Sequence, residues 1–245
     1  MINNMKIKDY FSPNFDKKNR SAKYIKILVI HYTGMQSERE SLSRLRNPKS
    51  KVSSHFVISR NGKIYRLVKD NKIAWHAGKS CWGNYKNLNK NSIGIELVNK
   101  GHRYGYINFK KKQIDSLIEI CKKIVKKYKI KPNNVVGHSD IAPLRKIDPG
   151  EKFPWELLAK KKIGIWHYCK PAILKKLRKI RVLKAKEKIE FKKNLEKIGY
   201  CTSNNKKNIS SKILKAFQMH YRKELVDGIL DKECLVIGKN LAKNT

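Results

Sequence analysis

The chain has 245 residues, with 58 Lys and Arg against 19 Asp and Glu, for a formal net charge of +39. A chain of this length buries about 70–75% of its unfolded surface, so it has a real core in one or two domains and needs no disulfides to fold. The charge calls for a polyanionic neighbour, whether nucleic acid, anionic lipid or cell-wall polymer; no apolar run approaches the roughly 18 residues of a transmembrane segment.

The excess is nearly all lysine, spread along the chain together with many Asn and Ile. Compositional drift produces that pattern as readily as selection for a polyanion does. Cys81, Cys121, Cys169, Cys201 and Cys234 are odd in number and far apart, with no metal-binding spacing, so they read as ordinary packed thiols. Met1 to Arg20 carries charges throughout and lacks the apolar core of a secretory signal, which taken alone points to the cytoplasm.

In chain order, Tyr24 to Tyr32 is a short, β-branched, nearly continuous apolar run, expected as a strand buried on both faces with His31 at its end. Ser53 to Ile58 and Lys63 to Val68 flank Asn61-Gly62, which supplies the positive-φ turn of a hairpin. Lys79 to Lys90 has the texture of an insertion walling a cleft. Ser92 to Val98 alternates, with Gly94, Glu96 and Val98 on one face. Lys110 to Tyr128 repeats Ile114, Leu117, Ile118, Cys121, Ile124, Val125 and Tyr128 at helical spacing, and Lys131-Pro132 ends that helix before a short strand at Val135-Val136. This order predicts an α/β domain over residues 1–168, a mixed β-sheet covered by helices. Residues 169–181 are the expected linker. Residues 182–245 form the expected small C-terminal helical domain, within a basic helix from Ile173 to Ile198 and an amphipathic one from Ile209 to Tyr221.

Chemistry concentrates in Gly137-His-Ser-Asp-Ile-Ala-Pro-Leu-Arg-Lys-Ile-Asp-Pro-Gly150. Pro143 and Pro149 forbid a continuous helix, so the segment is a loop able to bring His138 and Asp148 to one point. With His31 they offer the three N/O ligands of a hydrolytic zinc site with an open position. Glu96 is the candidate proton carrier, with Gly94 leaving room on its face, and Lys146 is the candidate partner of an oxyanion. Taken singly, each has an ordinary structural reading, and His55, among aromatic and β-branched neighbours, is expected to be a buried packing histidine.

The segments Ile30-His-Tyr-Thr-Gly-Met35, Ser53-Ser-His-Phe-Val-Ile58, Ala74-Trp-His-Ala-Gly78, Ile93-Gly-Ile-Glu-Leu-Val-Asn99 and Gly137 to Gly150 resemble, in order, the zinc-dependent N-acetylmuramoyl-L-alanine amidases of the type 2 amidase family. The resemblance covers about Ser12 to Trp166. It implies hydrolysis of the amide between N-acetylmuramic acid and the L-alanine of the peptidoglycan stem peptide. It makes His31, His138 and Asp148 ligands of one Zn2+, Glu96 the acid/base and Lys146 the oxyanion partner. Trp75, His76 and Asn99 match positions near the substrate groove, whereas His102, His167 and His220 match no catalytic motif. Leu144 departs from the small residue many relatives carry before the Arg-Lys pair.

The C-terminal segment resembles a three-helix peptidoglycan-binding domain through Leu195, Ile198-Gly-Tyr200, Ala216-Phe-Gln218 and Asp227-Gly-Ile-Leu-Asp231. The implied partner is peptidoglycan or its muropeptides. No helix-turn-helix, zinc-finger or RNA-recognition signature points to a specific nucleic acid. A wall-binding module favours the cell envelope, against the cytoplasmic reading of the N-terminus. It also implies that deletion beyond Pro171 spares cleavage of small muropeptides. The alternative is a peptidoglycan-recognition protein that shares the fold without hydrolysing.

Overall fold

The computed structural model describes residues 6–202 and 209–245; the first five residues of the N-terminal segment discussed above lie outside that range. The strands are β1 (Ile7–Asp9), β2 (Phe15–Asp16), β3 (Ile27–Tyr32), β4 (Phe56–Ile58), β5 (Ile64–Arg66), β6 (Ile73–Ala74), β7 (Cys81–Trp82), β8 (Tyr85–Lys86), β9 (Ser92–Leu97) and β10 (Val135–Gly137). The helices are α1 (Glu38–Arg46), α2 (Lys111–Tyr128), α3 (His138–Ile141), α4 (Trp155–Lys160), α5 (Pro171–Leu177), α6 (Ala185–Ile198), α7 (Ser211–Tyr221) and α8 (Lys232–Lys243).

Among the described residues the main sheet runs β1-β5-β4-β9-β3-β10, parallel throughout except for the β4–β5 hairpin. The expected mixed α/β sheet is therefore present, and its β3, β9 and α2 fall where the apolar patterns placed them. Strand β3 is buried on both faces because each face has its own cover. Leu28 and Ile30 join Ile114, Leu117 and Cys121 of α2 in one cluster. Ile27 and Val29, with Val136 of β10, pack with Phe191, Leu195, Phe217 and Leu241 of the C-terminal helices.

Register then decides where the chemistry lies. His31 pairs with Glu96 and Val29 with Gly94 across β3 and β9, while Gly137 stands opposite Ile30. His31, Glu96 and Gly94 therefore share the face of Ile27 and Val29, since side chains alternate along a strand. They sit at the carboxyl ends of parallel strands, where open α/β sheets place their sites.

Two sequence expectations change here. The helix foreseen from Ile173 to Ile198 is two helices, because Glu187 Oε2 accepts the Lys184 backbone N–H at 2.9 Å and starts α6 afresh. Cys81 and Cys201 are not free thiols: they form a disulfide that ties the β7–β8 hairpin to the chain just after α6. Their separation of 120 residues offers no local pattern from which to read the pair. Cys121 and Cys234 are buried free thiols and Cys169 is partly buried, as expected. The segment expected as a linker carries α5, whose Leu174 is buried in the same cluster as Ile27 and Val29. Helix α8, the third helix that the resemblance implies and whose bounds no apolar pattern marked, completes that cover with Ile237 and Leu241.

Candidate metal centre and its cavity

Three elements converge on one point: the end of β3 brings His31, the first residue of α3 brings His138, and the loop after α3 returns with Asp148. The return is close. A Cβ on Gly137 would stand 2.7 Å from Pro149 Cδ, so only glycine lets the two ends of the loop meet. Ser139 N–H closes the loop on Asp148 O at 2.8 Å. His31 Nδ1, His138 Nδ1 and Asp148 Oδ2 form a triangle with sides of 3.0, 3.0 and 3.1 Å, and all three residues are buried.

The outer ring nitrogens fix which atoms carry protons. Ser92 Oγ–H donates to Leu88 O at 2.6 Å, so toward His76 Nε2, 3.2 Å away, it can only accept. His76 therefore carries its proton on Nε2 and presents a bare Nδ1, which accepts from His31 Nε2–H at 3.1 Å. His31 Nδ1 is left without a proton. His138 Nε2–H donates in the same way to Ala77 O at 3.2 Å, leaving its Nδ1 bare as well. Two lone pairs and a carboxylate oxygen thus face one another with no hydrogen to share, an arrangement that repels itself unless a cation lies between them. Tetrahedral zinc bonds of about 2.0–2.1 Å set ligand atoms roughly 3.3 Å apart, close to the triangle observed. The donor set therefore fits a zinc ion, and His76 and the Ala77 carbonyl orient the two imidazoles as metal-ligating histidines require.

The electrostatics agree. Burial, then the neighbouring His138, lowers His31 to a pKa of about 4 and keeps it neutral. Burial also holds His76 well below its ordinary value. Glu96 behaves oppositely: burial, then the charge of Asp148, pushes it up to about 8 against the pull of Lys146. Its Oε2 is enclosed and has no hydrogen-bond partner.

His138, Asp148, Glu96, Lys146, Trp75 and His76 line a cavity of about 610 Å³, with Tyr32, Met35, Arg103 and Arg145 also on its walls; His31 lies behind them, off the lining. Of the foreseen groove residues, Trp75 reaches the cavity while its Nε1 donates to Asp16 Oδ1 at 2.6 Å. His76 is buried, with both ring nitrogens engaged as described. Asn99 does not line the cavity: its amide donates to Ile107 O at 2.8 Å and its carbonyl accepts from Gly101 N–H at 3.1 Å. His55 is buried as expected, accepting Gly94 N–H at 3.0 Å beside the Arg20 guanidinium. A larger cavity, about 980 Å³ and bordered by Trp166, His167, Arg178 and Tyr221, contains none of these groups.

Sequence reading missed Ser92 and Arg145. Arg145 donates to the carbonyls of Ala77 and Lys79 and so fastens the segment after His76 to the ligand loop. Each lies inside a segment already singled out, but neither carries a signal of its own.

The N-acetylmuramoyl-L-alanine amidase family matches residues 21–151. The N-acetylmuramoyl-L-alanine amidase AmiD of Escherichia coli (strain K12) is 37% identical over 233 aligned residues, covering 89% of this chain and 82% of its own length. The 1,6-anhydro-N-acetylmuramyl-L-alanine amidase AmpD of Haemophilus influenzae is 37% identical over 163 residues, 59% of this chain and 86% of its own. Among solved structures, E. coli AmiD in complex with anhydro-N-acetylmuramic acid-L-Ala-D-γ-Glu-L-Lys superposes with a TM-score of 0.78 at 33% identity, covering 94% of this chain and 93% of that one. AmpDh3 from Pseudomonas aeruginosa superposes with a TM-score of 0.80 at 31% identity, covering 95% and 96%.

Proposed function

The chain belongs to the N-acetylmuramoyl-L-alanine amidase family, and we propose that it cleaves the amide between N-acetylmuramic acid and L-alanine of muropeptides with a zinc ion held by His31, His138 and Asp148. The observation that carries this reading is the triangle of His31 Nδ1, His138 Nδ1 and Asp148 Oδ2 beside the unpartnered Oε2 of Glu96. When bound, zinc supplies a Lewis acid that brings the attacking water's pKa to about 7.

The chain's own groups do the rest. Glu96, with its free Oε2, would be drawn back toward its ionised form by a bound cation against the effect of burial, and in that form takes the water's proton and returns it to the leaving nitrogen of L-alanine. Lys146, on the same wall, offers positive charge where the carbonyl oxygen becomes an oxyanion; losing such a donor typically costs about 10²- to 10³-fold in rate. Trp75 gives the cavity an apolar wall for the sugar or the peptide.

We assign residues 1–168 to catalysis and read residues 182–245 as a peptidoglycan-binding-like domain, supported by its helices α6, α7 and α8 and the order of its motifs. The Cys81–Cys201 disulfide supports work in the cell envelope, since such bonds persist in oxidising compartments. No helix among the described residues is long and apolar enough to cross a membrane.

The test is mass spectrometry of a MurNAc-tripeptide incubated with metal-free protein, with and without zinc. We expect zinc-dependent release of the free peptide beginning with L-Ala. His138→Ala and Asp148→Ala should lose both metal and turnover, whereas Glu96→Ala should keep zinc and lose turnover. Stoichiometric zinc binding without cleavage of any muropeptide, anhydro and polymeric forms included, would leave a recognition protein. A fully active Glu96→Ala would remove the proton-transfer role.

A further inference from the structure

Asp140 lies two residues beyond His138 in α3, a helix of one turn. So short a helix has little stability of its own, because a first turn fixes several residues for a single hydrogen bond. Its pose is set from outside, through Asp140. Oδ2 accepts the Gly137 N–H at 2.7 Å, closing the turn from which His138 projects. The same oxygen faces His220 Nδ1 at 2.7 Å, and Oδ1 accepts from Tyr200 Oη–H at 2.6 Å.

Both outside partners come from the C-terminal segment, 60 and 80 residues further along the chain. Tyr200 follows α6 and His220 belongs to α7. Asp140, Tyr200 and His220 are all buried, so no water replaces a lost contact. The partners are themselves held: the Tyr200 ring meets Trp82 edge-on at 4.9 Å, and the His220 ring stacks on Trp155 at 3.8 Å. Farther round the same loop, Lys212 Nζ of α7 donates to Leu144 O at 3.0 Å, two residues before Lys146.

We infer that Tyr200 and His220 are positioning residues of the metal centre: through Asp140 they set the α3 turn so that His138 Nδ1 meets His31 Nδ1 and Asp148 Oδ2. The C-terminal segment is then part of the hydrolytic machinery in addition to any part it has in wall binding. This inference rests on the zinc reading above.

Tyr200→Phe and His220→Phe each delete a polar contact and keep the ring. The His220 Nε2 has no partner to lose. In the full chain, zinc affinity measured by competition with a chelator should fall about tenfold in each variant, the lower end of what outer-shell partners contribute. Turnover of a soluble muropeptide should lose kcat with KM unchanged. Because both act through Asp140, adding either substitution to Asp140→Ala should change zinc affinity no further.

Wild-type affinity and kcat in both variants, with the parent binding zinc and cleaving substrate, would overturn the positioning role and leave the amidase reading intact. A lower melting temperature of the metal-free variants, with effects on zinc affinity that add to those of Asp140→Ala, would assign the residues to folding alone and also overturn it. A parent protein that binds no zinc would remove the metal reading and this inference with it.

Discussion

Gly94→Ala is the smallest change that should disable the metal centre without touching a ligand. An added Cβ would stand 2.5–2.7 Å from Cγ, Nδ1 and Cδ2 of His76. Carbon atoms pack at about 3.5–4.0 Å, so the ring has to retreat by roughly 1 Å. The His76 Nδ1 bond to His31 Nε2, now 3.1 Å, then opens to about 4 Å and ceases to be one. Alanine would itself be favoured over glycine in a strand by about 0.5–1 kcal/mol. Against this stand overpacking at about 1–3 kcal/mol and a buried N–H left without an acceptor at about 1–3 kcal/mol, a net loss of about 1–5 kcal/mol. The freed imidazole of His31 can also place its proton on Nδ1, where the metal must bind. Chelator competition should therefore show zinc affinity about 10- to 100-fold weaker, and a melting curve of the metal-free protein should show the packing loss. Parental zinc affinity in a folded Gly94→Ala protein would refute the idea that His76 sets the protonation of His31.

Ser92→Ala should act on the same relay more gently, because it removes the acceptor of His76 Nε2–H and leaves the ring in place; zinc affinity between those of the parent and Gly94→Ala is the expected result. His55 is lowered to a pKa of about 3 by burial and then by Arg20. Its unfolded value is near 6.5, so the unfolded chain takes a proton that the native one refuses. Its contribution to stability is therefore full above about pH 6.5 and falls by about 1.4 kcal/mol per unit below it, roughly 2 kcal/mol by pH 5. Urea unfolding at pH 7.5 and 5 should show a loss of stability about 2 kcal/mol smaller in His55→Gln than in the parent, the remaining loss coming from His31 and His76, which burial also keeps neutral; equal losses in the two proteins would dismiss it. The Cys81–Cys201 disulfide spans 120 residues, for which the chain-entropy account gives about 4–5 kcal/mol. A reductant should lower the melting temperature of the parent but not of Cys81→Ser. A fragment ending at residue 170 should fail to give a soluble, active enzyme even on small muropeptides, because it uncovers Ile27, Val29 and Val136 and removes both partners of Asp140. A soluble fragment with parental turnover would show the sheet to be self-sufficient.

That last expectation reverses what the sequence alone implies, and the reversal shows where sequence legibility ends. Local periodicity was sufficient for β3, β9 and α2, since apolar spacing of two or nearly four residues reports burial directly. The metal triangle was legible for a different reason: a loop broken by Pro143 and Pro149, with a histidine and an aspartate at its ends, is itself a statement about convergence. What has no local signature is a contact between distant segments. Nothing around Cys81 names Cys201, and nothing around Asp140 names Tyr200 or His220.

His76 and Asn99 stand together in the sequence only because each matches a family position near the substrate groove. The fold separates them, placing His76 over the bare face of Gly94 and turning Asn99 onto the backbone of Gly101 and Ile107. A residue's type restricts what it can do; the groups that meet its second polar atom decide what it does. For His31 and His138 those groups are His76 Nδ1 and the Ala77 carbonyl, adjacent residues of one segment that Arg145 fastens to the ligand loop. Ligand orientation and the wall of the cavity are therefore held by the same few residues, and loosening one of them disturbs both.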